Sequence, residues 1–252
     1  MKAADARVLL TGAGGGIGSA MAEALRGAGA AVLGVGRRPG LGPWVQADLA
    51  TVDGIATVAG AASAFGANVV VHAAGVPAFG ALTALSPAQL QQVLQLNLLA
   101  PMQLTQALLP QLLAQPRAQL VFVGSALGRI GLPGFSAYGA SKAGLHGFAE
   151  ALRRELADTS VRVQILGPRS TRTGFNDAAV EAYNRATGTA MDTPQVVAAA
   201  LLALLESEAA ERFIGFPERL GVRLNGVLGA RMDGSFARHR RSLSTPDTGV
   251  PA

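Results

Sequence analysis

Apolar residues in this chain fall in short dense blocks, separated by longer stretches in which apolar and polar positions mix at helical spacing. Arg7–Leu10, Ala31–Val35, Asn68–Ala73, Leu120–Gly124 and Val161–Leu166 are largely apolar runs, as expected of parallel strands covered on both faces. Trp44–Ala47, ending at Asp48, predicts a short third strand, and Phe213–Phe216 a short last one. The intervening stretches predict a helix through Met21 and Leu25, another over Val52–Ala64, and a long helical region from Pro87 to about Leu113, interrupted at Pro101. Further helices are predicted over Ser136 to Ala157 and from Pro194, behind the cap residue Thr193, to about Leu205.

Repeated strand–helix–strand order with short connections predicts an α/β fold. The expected form is a single-domain doubly wound parallel sheet, a Rossmann fold of about seven strands with helices on both faces. The 252 residues suffice for one such domain. It is expected over 1–241, with 169–191 and 216–241 covering the substrate and a mobile Ser/Thr/Pro/Gly-rich tail over 242–252.

Composition narrows the chemistry. There is no cysteine, which excludes disulfides and thiolate metal sites and fits a cytoplasmic protein. The three histidines, His72, His146 and His239, lack metal-ligand spacing, so no metal is expected. The net charge of +5 comes from arginines spread along the chain. The one cluster, Arg238, Arg240 and Arg241, has no aromatic interleaving, and no nucleic-acid partner is expected. The start of the chain is too short and polar for a signal peptide, and no apolar run reaches membrane-spanning length.

Tyr138-Gly139-Ala140-Ser141-Lys142 carries the sharpest signal. The chain has two tyrosines and, among 21 basic residues, only two lysines, Lys2 and Lys142. Positions i and i+4 share a helix face, so phenol and ammonium can share a site. An ammonium beside a phenol favours the phenolate and lowers its pKa, which suits a tyrosine to proton transfer.

Thr11-Gly12-Ala13-Gly14-Gly15-Gly16-Ile17-Gly18 joins the first strand to the first helix. Glycines let the backbone approach a pyrophosphate, and the helix N-terminus offers free N–H groups. At the end of the second strand, where enzymes that prefer NAD place an acid, stand Arg37 and Arg38. Guanidinium matches phosphate, so the expected cofactor is NADP(H), with Arg37 or Arg38 on its 2′-phosphate.

In order and spacing this set resembles the short-chain dehydrogenase/reductase family, from about Arg7 to Thr173. Thr11 to Gly18 resembles its T-G-x-x-x-G-x-G loop, and Tyr138 with Lys142 its Y-x-x-x-K. The resemblance implies that Ser125, thirteen residues before Tyr138, stabilises the oxyanion, and that Asn97 holds a relay water. Tyr138 would exchange a proton with the carbonyl oxygen as hydride is transferred, while Lys142 binds the nicotinamide ribose. Asp48 and Leu49 would contact adenine, Ala74 and Gly75 the adenosine ribose, and Pro168, Thr171 and Thr173 the nicotinamide side. The implied activity is interconversion of a ketone and a secondary alcohol by a homodimer or homotetramer.

The chain also departs from the family. His72-Ala73-Ala74-Gly75 stands where N-N-A-G is usual, which makes His72 a structural residue, and Arg169 replaces the glycine after the proline of the sixth strand. Arg169 and Arg172 are candidates for an anionic substrate group. Leu127, Ile130, Leu132 and Phe135 favour an apolar ketone or alcohol. Arg117 resembles a basic position of acyl-carrier-protein reductases, though Thr159 stands at the matching site, so a carrier-bound 3-oxoacyl substrate is an alternative. Two further readings are a non-catalytic NADP(H) sensor and a protein bound to a membrane surface through its C-terminal region. Packing is the favoured use of that region.

Overall fold

The computed structural model describes residues 1–215, 221–222, 225–226 and 229–243. Its strands are β1 (Arg7–Thr11), β2 (Ala31–Gly36), β3 (Trp44–Gln46), β4 (Val69–His72), β5 (Ala118–Val123), β6 (Val161–Gly167) and β7 (Glu211–Phe213). They form one parallel sheet in the order β3-β2-β1-β4-β5-β6-β7. The chain direction of strand addition reverses between β1 and β4, the switch point outside which doubly wound folds bind ligands.

Alternation along the strands divides the core into two layers. Leu9, Val70, Leu120 and Ile165 face α2 (Val52–Phe65), α4 (Ala100–Leu113) and α5 (Ser136–Glu155). Val8, Leu10, Val69 and Val121 face α1 (Gly16–Gly27) and α7 (Pro194–Ser207). The five inner strands, β1, β2, β4, β5 and β6, are thus largely buried on both sides, which is why their sequence blocks are nearly continuous, while β3 and β7 are partly exposed at the edges. Local chemistry starts the helices. Thr51 Oγ1 accepts from Gly54 N–H at 3.0 Å to cap α2. Ser86 and Gln89 form a capping box at α3 (Pro87–Leu94), with Pro87 in its first turn.

Three elements differ from expectation. The long helical region is interrupted before Pro101, by a π-helical turn over Gln95–Leu99, and Pro101 itself lies in the first turn of α4. The backbone stays helical through Leu99 and Ala100, whose N–H reaches Gln95 O five residues back, so the proline follows a widened turn and no break arises. The last strand lies earlier than expected, at Glu211–Phe213; Phe216 is outside the described residues. Within the expected covering segment 169–191 lies a helix, α6 (Ala178–Thr187), capped by Asp177, whose Oδ1 accepts from Val180 N–H at 2.9 Å. The C-terminal covering segment is described only in part, including α8 (Ala237–Leu243). Residues 216–220, 223–224, 227–228 and 244–252 lie outside the description, and with them most of the expected tail.

His72 is the structural residue expected. It lies 3.0 Å from Thr105 Oγ1 and stacks on Phe122 with ring centroids 4.9 Å apart. Burial pushes its pKa down to about 3. The unfolded imidazole gains a proton as pH falls through about 6.5, whereas the folded one does not. Stability therefore falls with acidification between those two values. Between pH 7 and pH 4.5 this site should cost about 2–3 kcal/mol. Urea unfolding at the two pH values should show His72→Gln losing that much less; an equal loss in both proteins would contradict it.

Candidate active site

The loop after β1 is shaped by close approach. Gly12 has φ +69°, and a Cβ there would stand 2.8 Å from the Ala74 backbone. A Cβ on Gly16 would stand 2.5 Å from Thr173 Cγ2, so the loop and the segment after β6 meet as the sequence implied. No side chain caps α1, which leaves its first-turn N–H groups for an anion. Thr11, expected at the cofactor, is 1% exposed. Its hydroxyl accepts from Ala73 and Ala74 N–H at 3.0 and 3.1 Å. It ties the two glycine-bearing loops together and does not line the site.

These loops border one large cavity of about 1530 Å³ along the C-terminal edge of the sheet. It brings together the other expected cofactor residues: Gly12, Gly14, Gly15, Gly16, Ile17, Gly18, Arg37, Arg38, Asp48, Leu49, Ala74, Gly75, Pro168, Thr171 and Thr173, with Tyr138 and Lys142. Ser125 lines the same cavity. Arg37 and Arg38 are exposed, and among the described residues neither guanidinium meets a carboxylate. Asp48 Oδ1 accepts from Ala50 N–H at 3.0 Å. Sequence reasoning missed Trp44, the chain's one tryptophan. Its ring lies over Gly34 and Gly36, where added Cβ atoms would meet it at 2.6 and 2.7 Å, and borders the cavity near Gly14. The signal was a pair of strand glycines two residues apart, leaving room for a large ring.

Asn97 sits in the π turn, 1% exposed, outside the cavity lining. Its Nδ2 donates to Val76 O at 3.0 Å and Ser141 Oγ at 3.1 Å, and its Oδ1 accepts from Val76 N–H at 2.8 Å. Both amide N–H groups are therefore spent, so a relay water at the side chain would have to donate to Oδ1. From the π turn between α3 and α4 this side chain reaches α5 and the loop after β4.

Ser125 follows β5, where its hydroxyl helps to hold down the pKa of Tyr138. Its Oγ also accepts from Leu127 N–H at 3.1 Å. Lys142 is buried, and its Nζ donates to Val123 O at 2.9 Å, 5.9 Å from the Tyr138 ring centroid. The expected lowering of the tyrosine pKa is not what this site gives. Burial pushes Tyr138 up to about 12, offset in part by the Ser125 hydrogen bond, and burial pushes Lys142 down to about 8. Desolvation of the charged forms outweighs their mutual attraction, because the ammonium is turned toward the Val123 carbonyl.

Two arginines have other work. Arg169 forms a two-point ion pair with Asp192, Nε to Oδ2 at 3.0 Å and Nη2 to Oδ1 at 2.7 Å. It anchors the segment after β6 and is neither solvent-exposed nor unpaired, with its Nε and Nη2 engaged by Asp192 where it borders the cavity. Arg117 Nε donates to Glu208 Oε1 at 2.8 Å, beside the start of β5 and away from the cavity. Arg172 is exposed and outside the lining.

A sequence model described as short chain dehydrogenase matches residues 6–184. The chain belongs to this family. A relative, oxidoreductase claN of Passalora fulva, is 35% identical over 183 residues, covering 68% of this chain and 84% of its own. Other curated relatives match over shorter stretches, and this chain spans less than half of their length. Among solved structures, a short chain dehydrogenase from Burkholderia cenocepacia in complex with NADP is 26% identical with TM-score 0.78, over 95% of this chain and 99% of that one. A family member from Burkholderia phymatum in complex with NAD shares the fold at 23% identity and TM-score 0.82, over 90% and 95% of the two chains. This chain is thus an oxidoreductase of the short-chain dehydrogenase family with a nicotinamide-cofactor fold. Among its described residues no helix is long and apolar enough to cross a membrane, and no group of His, Asp and Glu side chains is placed to hold a metal.

Proposed function

We propose that the protein is an NADP(H)-dependent reductase that interconverts an apolar ketone and a secondary alcohol, working in the reductive direction. The observation that carries this is one cavity holding the glycine loop at one end and Ser125, Tyr138 and Lys142 at the other. The residues fit the cofactor: a backbone cradle that a Cβ would fill at Gly12 and Gly16, uncapped helix N–H groups, and two exposed arginines at the end of β2.

When bound, the nicotinamide supplies hydride to the carbonyl carbon. Tyr138 holds the proton that the carbonyl oxygen needs, since its raised pKa keeps the phenol neutral at pH 7. Ser125 Oγ hydrogen-bonds the same oxygen as charge develops on it. Lys142 uses one N–H on Val123 O and has two left for ribose hydroxyls. Its ammonium offsets the phenolate that proton donation creates. Asn97 is a positioning residue, holding Val76 and Ser141 against the site.

The test is NADPH oxidation over aliphatic ketones, aromatic ketones, quinones and 3-oxoacyl thioesters, run in parallel with NADH. Turnover of a ketone with NADPH in clear preference to NADH is expected. NADPH binding with no oxidation by any substrate would mark the protein as a sensor instead.

A further inference from the structure

The far end of the cavity is walled by aromatic rings, although only 5% of the chain is aromatic. From Tyr138 the rings continue at centroid separations of 6.4 Å to Phe135, 5.6 Å from Phe135 to Tyr183, and 5.8 Å from Tyr183 to His239. Phe236 closes on His239 at 5.7 Å, and Phe175 flanks Tyr138 at 6.0 Å. Most pairs meet edge to face, a geometry that leaves slots for another flat ring. Tyr183 is held in place by its hydroxyl, which donates to Pro133 O at 3.0 Å.

Charge is sparse among the described residues of this end. Among the described lining, the charged side chains are Arg37, Arg38 and Asp48 at the β2–β3 end, Lys142 beneath Tyr138, and Arg169, paired with Asp192. A neutral ligand fits such a wall; an anionic one would lie there without a partner.

Asn184, Thr187, Thr189 and Ser235 also line this end, and one further polar group lies within the run of rings. His239 lines the cavity, and neither ring nitrogen has a hydrogen-bond partner among the described residues. Its Nδ1 is enclosed, which leaves Nε2 as the edge available to a ligand. It is carried by α8, outside the stretch 6–184 that matches the family. Leu243 of the same helix packs near Gly134 beside Phe79, which seats α8 on the loop that carries Phe135. A neutral imidazole can donate or accept, so it can read a hydroxyl or a second carbonyl.

We infer that His239 is a specificity-determining residue, hydrogen-bonding a polar substituent at the far end of a flat, neutral aromatic ketone whose reacting carbonyl meets Tyr138. This rests on the ketone-reductase reading above. In steady-state assays with NADPH, KM should rise in the order hydroxytetralone, tetralone, decanone. His239→Phe keeps the ring and removes the nitrogen. It should raise KM for hydroxytetralone about tenfold and leave tetralone within about twofold, the size expected for one lost hydrogen bond. A decanone KM at or below that of tetralone, or a variant that moves both tetralones alike, overturns the inference while leaving the reductase reading intact. If none of the three is reduced, the wider substrate panel decides the reductase reading, and calorimetry of hydroxytetralone with the NADP⁺-saturated protein decides the role of His239. Weaker binding to His239→Phe supports it; equal binding overturns it.

Discussion

Replacing Tyr138 with Phe should lower turnover on the order of 10³-fold or more, while NADPH binds within about threefold of its usual affinity. The change deletes one oxygen. That oxygen carries a proton and lies beside Ser125. Burial holds the phenol neutral, with a pKa pushed up to about 12, so the proton is available across the working pH range. The cofactor cradle is made elsewhere, from the backbone of Gly12 and Gly16 and the start of α1. Lys142 keeps its bond to Val123 O when the hydroxyl is gone. The mutant should therefore bind and not react. A variant with most of its activity would remove Tyr138 from the mechanism; one that also fails to bind NADPH would show the residue shaping the site instead.

Replacing Arg37 and Arg38 together with Ala should weaken NADPH binding about 30-fold or more, with NADH changed by no more than about twofold. Charge-assisted hydrogen bonds to a phosphate are each worth about 1.5–3 kcal/mol, and only NADPH carries the 2′-phosphate. Both side chains are exposed, and among the described residues neither is engaged by an acid, so little folding stability is lost with them. Trp44 lines the same end of the cavity, and its fluorescence offers a direct titration signal. Equal losses for NADPH and NADH would place the arginines on a part of the cofactor common to both. An unchanged NADPH affinity would take them out of the site.

Local signals and long-range ones were unequally legible in the sequence. The inner strands could be read because they are apolar on both faces, whereas the exposed edge strand Glu211–Phe213 was misplaced; the glycine loop could be read because backbone approach demands glycine at Gly12. Tyr138 and Lys142 were legible from helical spacing and from their rarity. Helix α6 was passed over although Asp177 and Gly188 mark its ends, because its buried side, Val180, Tyr183 and Asn184, is short and half polar. The π turn at Asn97 has no composition of its own. The fates of Arg169 and Arg117 depended on Asp192 and Glu208, 23 and 91 residues away, and pairing at such distances is set by the fold. The same holds for the aromatic wall, whose rings come from the β5–α5 connection, α5, the β6–α6 connection, α6, α8 and the residue before α8. The tyrosine pKa was misjudged for a different reason. Spacing indicates which charges are neighbours, but not how deeply they are buried or where the ammonium points.

The most direct test of the account follows the hydrogen itself. The protein is incubated with an aromatic ketone and NADPH dideuterated at C4 of the nicotinamide, and the product is examined by mass spectrometry. The account predicts a secondary alcohol with deuterium on the carbinol carbon, and none formed by Tyr138→Phe. Alcohol without deuterium at that carbon, or label transfer undiminished in Tyr138→Phe, would contradict it.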